Sequence, residues 1–262
     1  MNKLDLKKYW KSEENAAQMK GWEFSYIRDR FQSYEDALPW DYNKIVKSYL
    51  KHKDKLLDID TGGGEVLLAF HHPYELTTVT EGFAPNVKLC EQTLGAMGIR
   101  VCQVTDYGNM PFEENAFDII INRHGAYDVQ ELYRILKPGG TFITQQVGED
   151  NDRELVEFLL PNSEKVFPGM NLHCQKSLFE KAGFEILMED EARKPIAFFD
   201  VGALVWFAKI IEWEFVDFSV ERCFERLLEA QRLIEQEGCI KGNIHRYLIV
   251  ARKPANAAHI EM

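Results

Sequence analysis

Leu56-Leu57-Asp58-Ile59-Asp60-Thr61-Gly62-Gly63-Gly64-Glu65-Val66-Leu67-Leu68-Ala69-Phe70 reads as a short apolar run, three consecutive glycines and a second apolar run with helical spacing. The string predicts a buried strand turning through glycines into a helix over Gly63–Phe70. Such a turn brings bare backbone close to a ligand beneath a helix N-terminus, which suits a nucleotide-like cofactor. A tight strand-to-helix turn with no ligand is the plainer alternative. Spacing narrows the choice of cofactor. No G-x-x-x-x-G-K-[ST] string occurs, so a phosphate-cradling P-loop is excluded. The dinucleotide fingerprint needs Gly, Gly and Gly/Ala at steps of two and three. The series from Asp60 is Asp60, Gly62, Glu65 and that from Gly62 is Gly62, Gly64, Leu67. Both break at the third position, which argues against a nicotinamide oxidoreductase.

Outward from this string, short apolar runs alternate with longer amphipathic ones, the pattern of repeated strand–helix units around a mostly parallel sheet. Strands are expected at Lys55–Asp60, Thr77–Glu81, Arg100–Thr105, Phe117–Asn122 and Thr141–Val147. Helices are expected at Pro85–Met97 and at Val129–Leu136, the latter stopped by Lys137-Pro138-Gly139-Gly140. Beyond Val147 the reading gives a helix over Leu172–Ala182 closed by Gly183, a strand over Phe184–Glu191 and a last strand over Tyr247–Arg252. The stretch between those two strands is too long for a simple loop and must hold structure of its own. Val220, Cys223, Phe224, Leu227, Leu228 and Ile234 recur at helical steps, so Ser219–Glu237 is read as an amphipathic helix stopped by Gly238. The resulting organisation is a helical cap segment over 1–50, a cofactor-binding core over 51–150 and a C-terminal part over 151–262 with a helical, aromatic-rich insert at about 192–243.

Composition bounds the partners. Asp and Glu number 42 against 31 Lys and Arg, a net charge of −11, and the basic residues form no cluster. A polyanion would be repelled, so no nucleic acid is expected. Cys90, Cys102, Cys174, Cys223 and Cys239 are scattered without a CxxC pair, which fits a reducing cytoplasm and neither a disulfide scaffold nor a zinc site. The basic MNKLDLKKYW start lacks an apolar continuation and does not resemble a secretory signal. The longest apolar stretch, Ala197–Trp213, contains Asp200, Lys209 and Glu212 and is better read as a buried or pocket-lining helix than as a membrane span.

Two acidic residues fall where a nucleoside would need them. Glu81 ends the second strand, where a carboxylate can accept hydrogen bonds from both ribose hydroxyls, and Asp106 follows the third, where an oxygen can accept the adenine amino proton. Either alone is an ordinary surface carboxylate. Together they sit at the carboxyl ends of adjacent strands.

The chain thus resembles the class I S-adenosylmethionine-dependent methyltransferases, particularly the small-molecule group called type 11. The resemblance runs through Asp58-Ile59-Asp60-Thr61-Gly62-Gly63-Gly64, Glu81, VTDYGNMPFEENAFDIIIN (Val104 to Asn122) and LYRILKPGGTFI (Leu132 to Ile143), and covers Lys55 to Val147. It implies a doubly wound α/β fold, a seven-stranded, mostly parallel, Rossmann-like sheet with helical cap additions, in which Tyr247–Arg252 supplies an antiparallel last strand. It also implies S-adenosylmethionine as cofactor. Asp58 and the loop Asp60, Thr61, Gly62, Gly63 and Gly64 would hold the methionine portion, Glu81 the ribose, and Asp106 with the backbone of Tyr107 the adenine; Asn122 and Arg123 lie at the same crevice. One departure stands out: the motif D-x-G-x-G-x-G has glycine where this chain has Asp60. That carboxylate would clash with the methionyl carboxylate, accept from its ammonium, or point to solvent.

Methyl transfer from a sulfonium is an in-line displacement for which alignment supplies much of the acceleration, so a catalytic base is optional. If the acceptor must lose a proton, His124 is the candidate base, with Tyr127 as an alternative; as a plain loop residue His124 would only position Arg123 or the backbone. No histidine grouping has metal-ligand spacing, and no metal is expected. A small-molecule pocket is expected among the aromatics on either side of the core, at Trp22, Trp40, Phe199, Trp206 and Trp213, unless these are simply the core of a cap. The competing readings are an rRNA or tRNA methyltransferase and a non-catalytic binding protein with a degenerate glycine loop.

Overall fold

The computed structural model describes residues 2–18 and 24–255. In chain order the elements are α1 (Lys3–Ala16), β1 (Phe31–Ser33), α2 (Tyr42–Tyr49), β2 (Leu56–Ile59), α3 (Glu65–Leu68), β3 (Thr77–Glu81), α4 (Ala84–Gln92), β4 (Arg100–Gln103), β5 (Phe117–Arg123), α5 (Val129–Ile135), β6 (Leu136–Val147), α6 (Arg153–Leu159), α7 (Leu172–Lys181), β7 (Glu185–Phe198), α8 (Val201–Ile210), α9 (Phe224–Glu237) and β8 (Ile240–Arg252). The sheet order is β1-β7-β8-β6-β5-β2-β3-β4. Strands β4, β3, β2, β5 and β6 pair in parallel, and β8 pairs antiparallel with β6. The α/β fold and the antiparallel last strand are as the resemblance implies. The strand count is corrected from seven to eight: three-residue β1 pairs antiparallel with the end of β7, Phe31 opposite Phe198.

The chain divides into two compact units. The larger comprises residues 39–147, 169–191 and 246–262. Its sheet buries both faces, and the period of two in each strand sorts the side chains between them. Leu57, Ile59, Ile120, Phe142, Tyr247 and Ile249 enter one core. Leu56, Ile119, Ile121, Ile143, Leu248 and Val250 enter the other. Each such side chain contributes roughly 1.5–3 kcal/mol of burial, so the strands that carry the glycine turn form a stiff platform.

The smaller unit comprises residues 1–38, 148–168 and 192–245. Helix α8 is buried along nearly its whole length, from Val201 to Ala208. Its N-cap, Asp200, accepts from the Ala203 N–H at 2.9 Å and from the Arg30 guanidinium at 3.1 Å; Arg30 also donates to Glu13 at 2.9 Å. This burial explains the apolar stretch from Ala197 to Trp213. Among the described residues no helix is long and apolar enough to cross a membrane.

Several element boundaries are corrected. The expected helix over Gly63–Phe70 is one turn, α3, and that over Pro85–Met97 is α4 with a short turn after it. Strand β7 continues past Glu191 to Phe198, and β8 begins at Ile240, so the helical insert is Phe199–Cys239. Lys137-Pro138-Gly139-Gly140 does not merely stop a helix. It bulges from the entry to β6, where Leu136 pairs with Phe117 and Thr141 with Ile119, and Gly139 takes φ +81°. Helix α9 starts at Phe224, five residues later than the apolar period suggests.

Candidate functional site

From β2 the chain crosses to β3 and then β4 on one side, and β5 returns on the other side of β2. The carboxyl ends of β2 and β5 therefore flank a topological switch point, where open α/β sheets hold ligands. The glycine turn leaves β2 at this place. Gly62, at φ +64°, has open space where a β-carbon would stand, whereas one at Gly64, φ +83°, would sit 2.7 Å from Leu94. Gly62 is thus the position of close approach from outside, and Gly64 that of close packing within. Because α3 is a single turn, a long helix dipole contributes little here, and the N–H groups of Asp60, Thr61, Gly62 and Gly64 are held by Thr80, Glu81 and Thr61 within the chain.

Three carboxylates converge on the turn. Asp58, buried at the end of β2, accepts from the Thr61 hydroxyl at 2.6 Å. Burial pushes its carboxyl up to about 7; the Thr61 bond works against that rise, and the charges of Asp60 and Glu81 add to it. Asp60 takes the left-handed conformation, φ +55°, which the glycine of the resembled motif would adopt without strain. Its carboxylate accepts from the Tyr107 hydroxyl at 2.5 Å and from the Ala126 N–H at 3.2 Å. Burial and Glu81 raise its pKa too, against the Tyr107 and Ala126 bonds. Glu81, 5% exposed at the end of β3, accepts from the N–H groups of Gly62 (3.0 Å), Gly82 (3.1 Å) and Phe83 (3.1 Å). These take three of a carboxylate's roughly four acceptor positions, so one position is left for a further donor where the resemblance implies two. Beneath the turn the Cys90 thiol donates to the Gly62 carbonyl at 3.1 Å.

Asp106 lies at the exposed rim after β4 and accepts from the Gly108 N–H at 3.0 Å. The other expected cofactor contact of that loop, Tyr107, reaches the site through its side chain. Asn122 is corrected from a crevice residue to an internal tie: fully buried, it donates to the Ile59 carbonyl at 3.1 Å and accepts from Thr144 at 3.1 Å and from Gln146. Arg123, next in sequence, is exposed. His124 adopts φ +63°, and its Nε2 lies 3.3 Å from the Gln145 amide nitrogen. The Gln145 amide oxygen accepts from the indole of Trp40 at 2.7 Å. An indole nitrogen only donates, so this contact fixes the amide, and His124 Nε2 must accept; neutral His124 then carries its proton on Nδ1.

Tyr127 packs against Phe142 and Phe179 at 5.3 and 5.8 Å and donates to Gln175 at 3.1 Å. Burial pushes its hydroxyl up to about 12, which removes it as a base near neutrality. The aromatics of the smaller unit meet as core. Trp206 is 4% exposed, stacked on Tyr26 at 5.4 Å and edge-on to Phe24 at 6.0 Å, and Trp213 packs against the same cluster. Phe199 is exposed, Trp40 is half-buried, and Trp22 lies outside the described residues. Sequence reasoning missed Gln145, Thr80, which accepts from the Asp60 N–H at 3.3 Å, and Gly125, where a β-carbon would stand 2.6 Å from that of Asp60. The glycine in His124-Gly125-Ala126 was a visible signal for that close approach. Among the described residues no group of His, Cys, Asp and Glu could hold a metal. Surface hollows of about 540 and 890 Å³ lie elsewhere, lined by residues such as Ser48, Gly139 and Arg252, or Lys55, Arg100 and Lys137.

Residues 57–144 match the family model described as Methyltransferase domain. The chain is 32% identical over 110 residues to the ubiquinone/menaquinone biosynthesis C-methyltransferase of Desulfotalea psychrophila, covering 38% of this chain and 44% of that protein. It is 31% identical over 147 residues to the sterol 4-C-methyltransferase of Caenorhabditis elegans, covering 50% of this chain and 43% of that protein. The matched segments thus span less than half the length of these relatives. A solved protein from Bacillus halodurans C-125 shares the fold at TM-score 0.57 and 21% identity, covering 82% of this chain and 99% of that one. Residues 57–144 thus match a methyltransferase domain, and the α/β fold around them is the one the solved protein shares.

Proposed function

We propose that the chain binds S-adenosylmethionine at the carboxyl ends of β2, β3 and β4 and transfers its methyl group to a small acceptor. One observation carries this reading: Asp58, Asp60 and Glu81 crowd a glycine turn, where burial and mutual repulsion raise the carboxyls of Asp58 and Asp60. Such a site favours a ligand bringing positive charge and disfavours a dinucleotide bringing phosphates. S-adenosylmethionine carries a sulfonium and an ammonium. When bound it supplies an activated methyl group on that sulfonium. Gly62 offers the close approach, Glu81 one remaining acceptor position for a ribose hydroxyl, and Asp58 a carboxylate toward the methionine portion.

The acceptor's lone pair or carbanion takes the methyl carbon as the carbon–sulfur bond breaks, so the chain's task is alignment and exclusion of water. His124 stands beside this edge with Nε2 engaged by Gln145. It can take a proton there only if that amide turns away, and the arrangement therefore favours His124 as a positioning residue. The curated relatives are named for C-methylation in quinone biosynthesis and of sterols, so apolar acceptors are the first to screen. Incubation with methyl-labelled S-adenosylmethionine and a metabolite extract tests the proposal: label in a low-molecular-weight product supports it, label in ribosomal or transfer RNA transfers it to the nucleic-acid reading, and cofactor binding without transfer favours a binding protein. Asp60 is the specific observation behind that last reading.

A further inference from the structure

The Tyr107 side chain bridges the loops that follow β2 and β4, across the mouth of the site proposed above. Strand β3 separates β2 from β4, so the loops that follow β2 and β4 are about two strand spacings, roughly 9.6 Å, apart. Tyr107, after β4, spans that gap to donate to Asp60, after β2, at 2.5 Å. Its ring therefore passes over the carboxyl end of β3. A β-carbon at Gly82, the residue after Glu81, would stand 3.1 Å from the Tyr107 hydroxyl. Glu81 lies close enough to this hydroxyl for its charge to push the Tyr107 pKa upward.

Both ends of this bridge are set up for it. Asp60 is held from a third side by the Ala126 N–H and by the close approach of Gly125. It occupies a left-handed backbone position where the resembled motif has glycine, so the residue that departs from the motif is the one that receives Tyr107. Asp58 and Glu81 are acidic groups close to Asp60, and the hydroxyl is a donor that relieves a poorly solvated carboxylate. Tyr107 itself is half-buried, packed against the core that holds Leu57 and Ile59, on a loop between exposed Asp106 and Gly108.

We infer that Tyr107 is a gate on the adenosyl hollow, held across it by the bond to Asp60 and turned outward when the cofactor enters. This rests on the S-adenosylmethionine reading above. A gate closed most of the time lowers apparent affinity by the open fraction, and the loss falls on association because the competent state must form before binding. A bond to a carboxylate of this kind corresponds to about a tenfold bias toward the closed state.

The test is stopped-flow association and calorimetric titration of S-adenosylhomocysteine with the full chain as wild type, Tyr107→Phe and Asp60→Gly, with circular dichroism confirming that each folds. Tyr107→Phe keeps the ring and removes the latch; Asp60→Gly removes the other half and restores the motif's glycine. The expected result is association about tenfold faster in both variants, with correspondingly tighter binding by Tyr107→Phe. Equal rates in all three proteins would overturn the gate and leave the cofactor reading standing. Weaker binding and faster dissociation in Tyr107→Phe would overturn the gate by making the hydroxyl a direct contact. No binding by any of the three would overturn the cofactor reading, and the gate with it.

Discussion

Asp58 is a carboxylate whose protonation is set by the fold. Its pKa is raised from the ordinary carboxylate range to about 7, chiefly by burial. Between those two values the folded chain binds more protons than the unfolded one, so the unliganded protein loses stability as pH rises from about 4 to 7. A cationic ligand acts in the opposite direction, and its affinity rises as pH passes upward through about 7. Calorimetry and thermal melts from pH 5.5 to 8.5 on wild type and Asp58→Asn check both trends; the isosteric amide keeps an acceptor for Thr61 and should flatten both slopes. Glu81 makes a different prediction. Its carboxylate satisfies three backbone N–H groups, and an amide in its place would leave at least one of them facing another donor. Glu81→Gln should cost about 1–3 kcal/mol in a urea titration, besides weakening ligand binding.

At the scale of the element, the turn between β2 and α3 separates stability from binding. Gly64→Ala meets Leu94 at 2.7 Å with φ +83° and should destabilise the fold by about 1–3 kcal/mol. Gly62→Ala carries similar backbone strain but meets nothing in the chain, so its stability loss should be the smaller and its loss of ligand affinity the larger. Urea midpoints paired with titrations of S-adenosylhomocysteine separate the two. Much of this turn was legible in LLDIDTGGG, because a central parallel strand buried on both faces leaves a continuous apolar run and glycines must mark a left-handed turn. The edges were less so. Three-residue β1 leaves no periodicity to read, and β7 carries Glu189, Asp190, Glu191, Arg193 and Lys194, a charged run that looks like the end of a strand although β7 continues through it to Phe198. Within the site, Glu81 was readable from its place at a strand end. The Tyr107–Asp60 bridge and the burial of Asn122 were not, since both depend on contacts between residues 47 and 63 positions apart.

For the whole molecule, a net charge of −11 without a basic cluster sets expectations about partners. Nucleic acid should give no mobility shift even at about 50 mM salt, where phosphate contacts are strong; a salt-sensitive shift would contradict the small-molecule reading. Ligand that binds only the folded chain stabilises it by about 2.7 kcal/mol at a hundredfold excess over Kd, visible as a melting shift with S-adenosylmethionine and none with a nicotinamide dinucleotide. The central claim is spatial: the glycine turn, Glu81 and the loop carrying Tyr107 enclose one adenosyl-sized place. A crystal structure grown with S-adenosylhomocysteine tests it most directly. The account predicts the ribose against Glu81, backbone of Gly62 against the ligand, and the Tyr107 ring swung off Asp60; a ligand bound elsewhere, or Tyr107 still on Asp60 with nothing over β3, would contradict it.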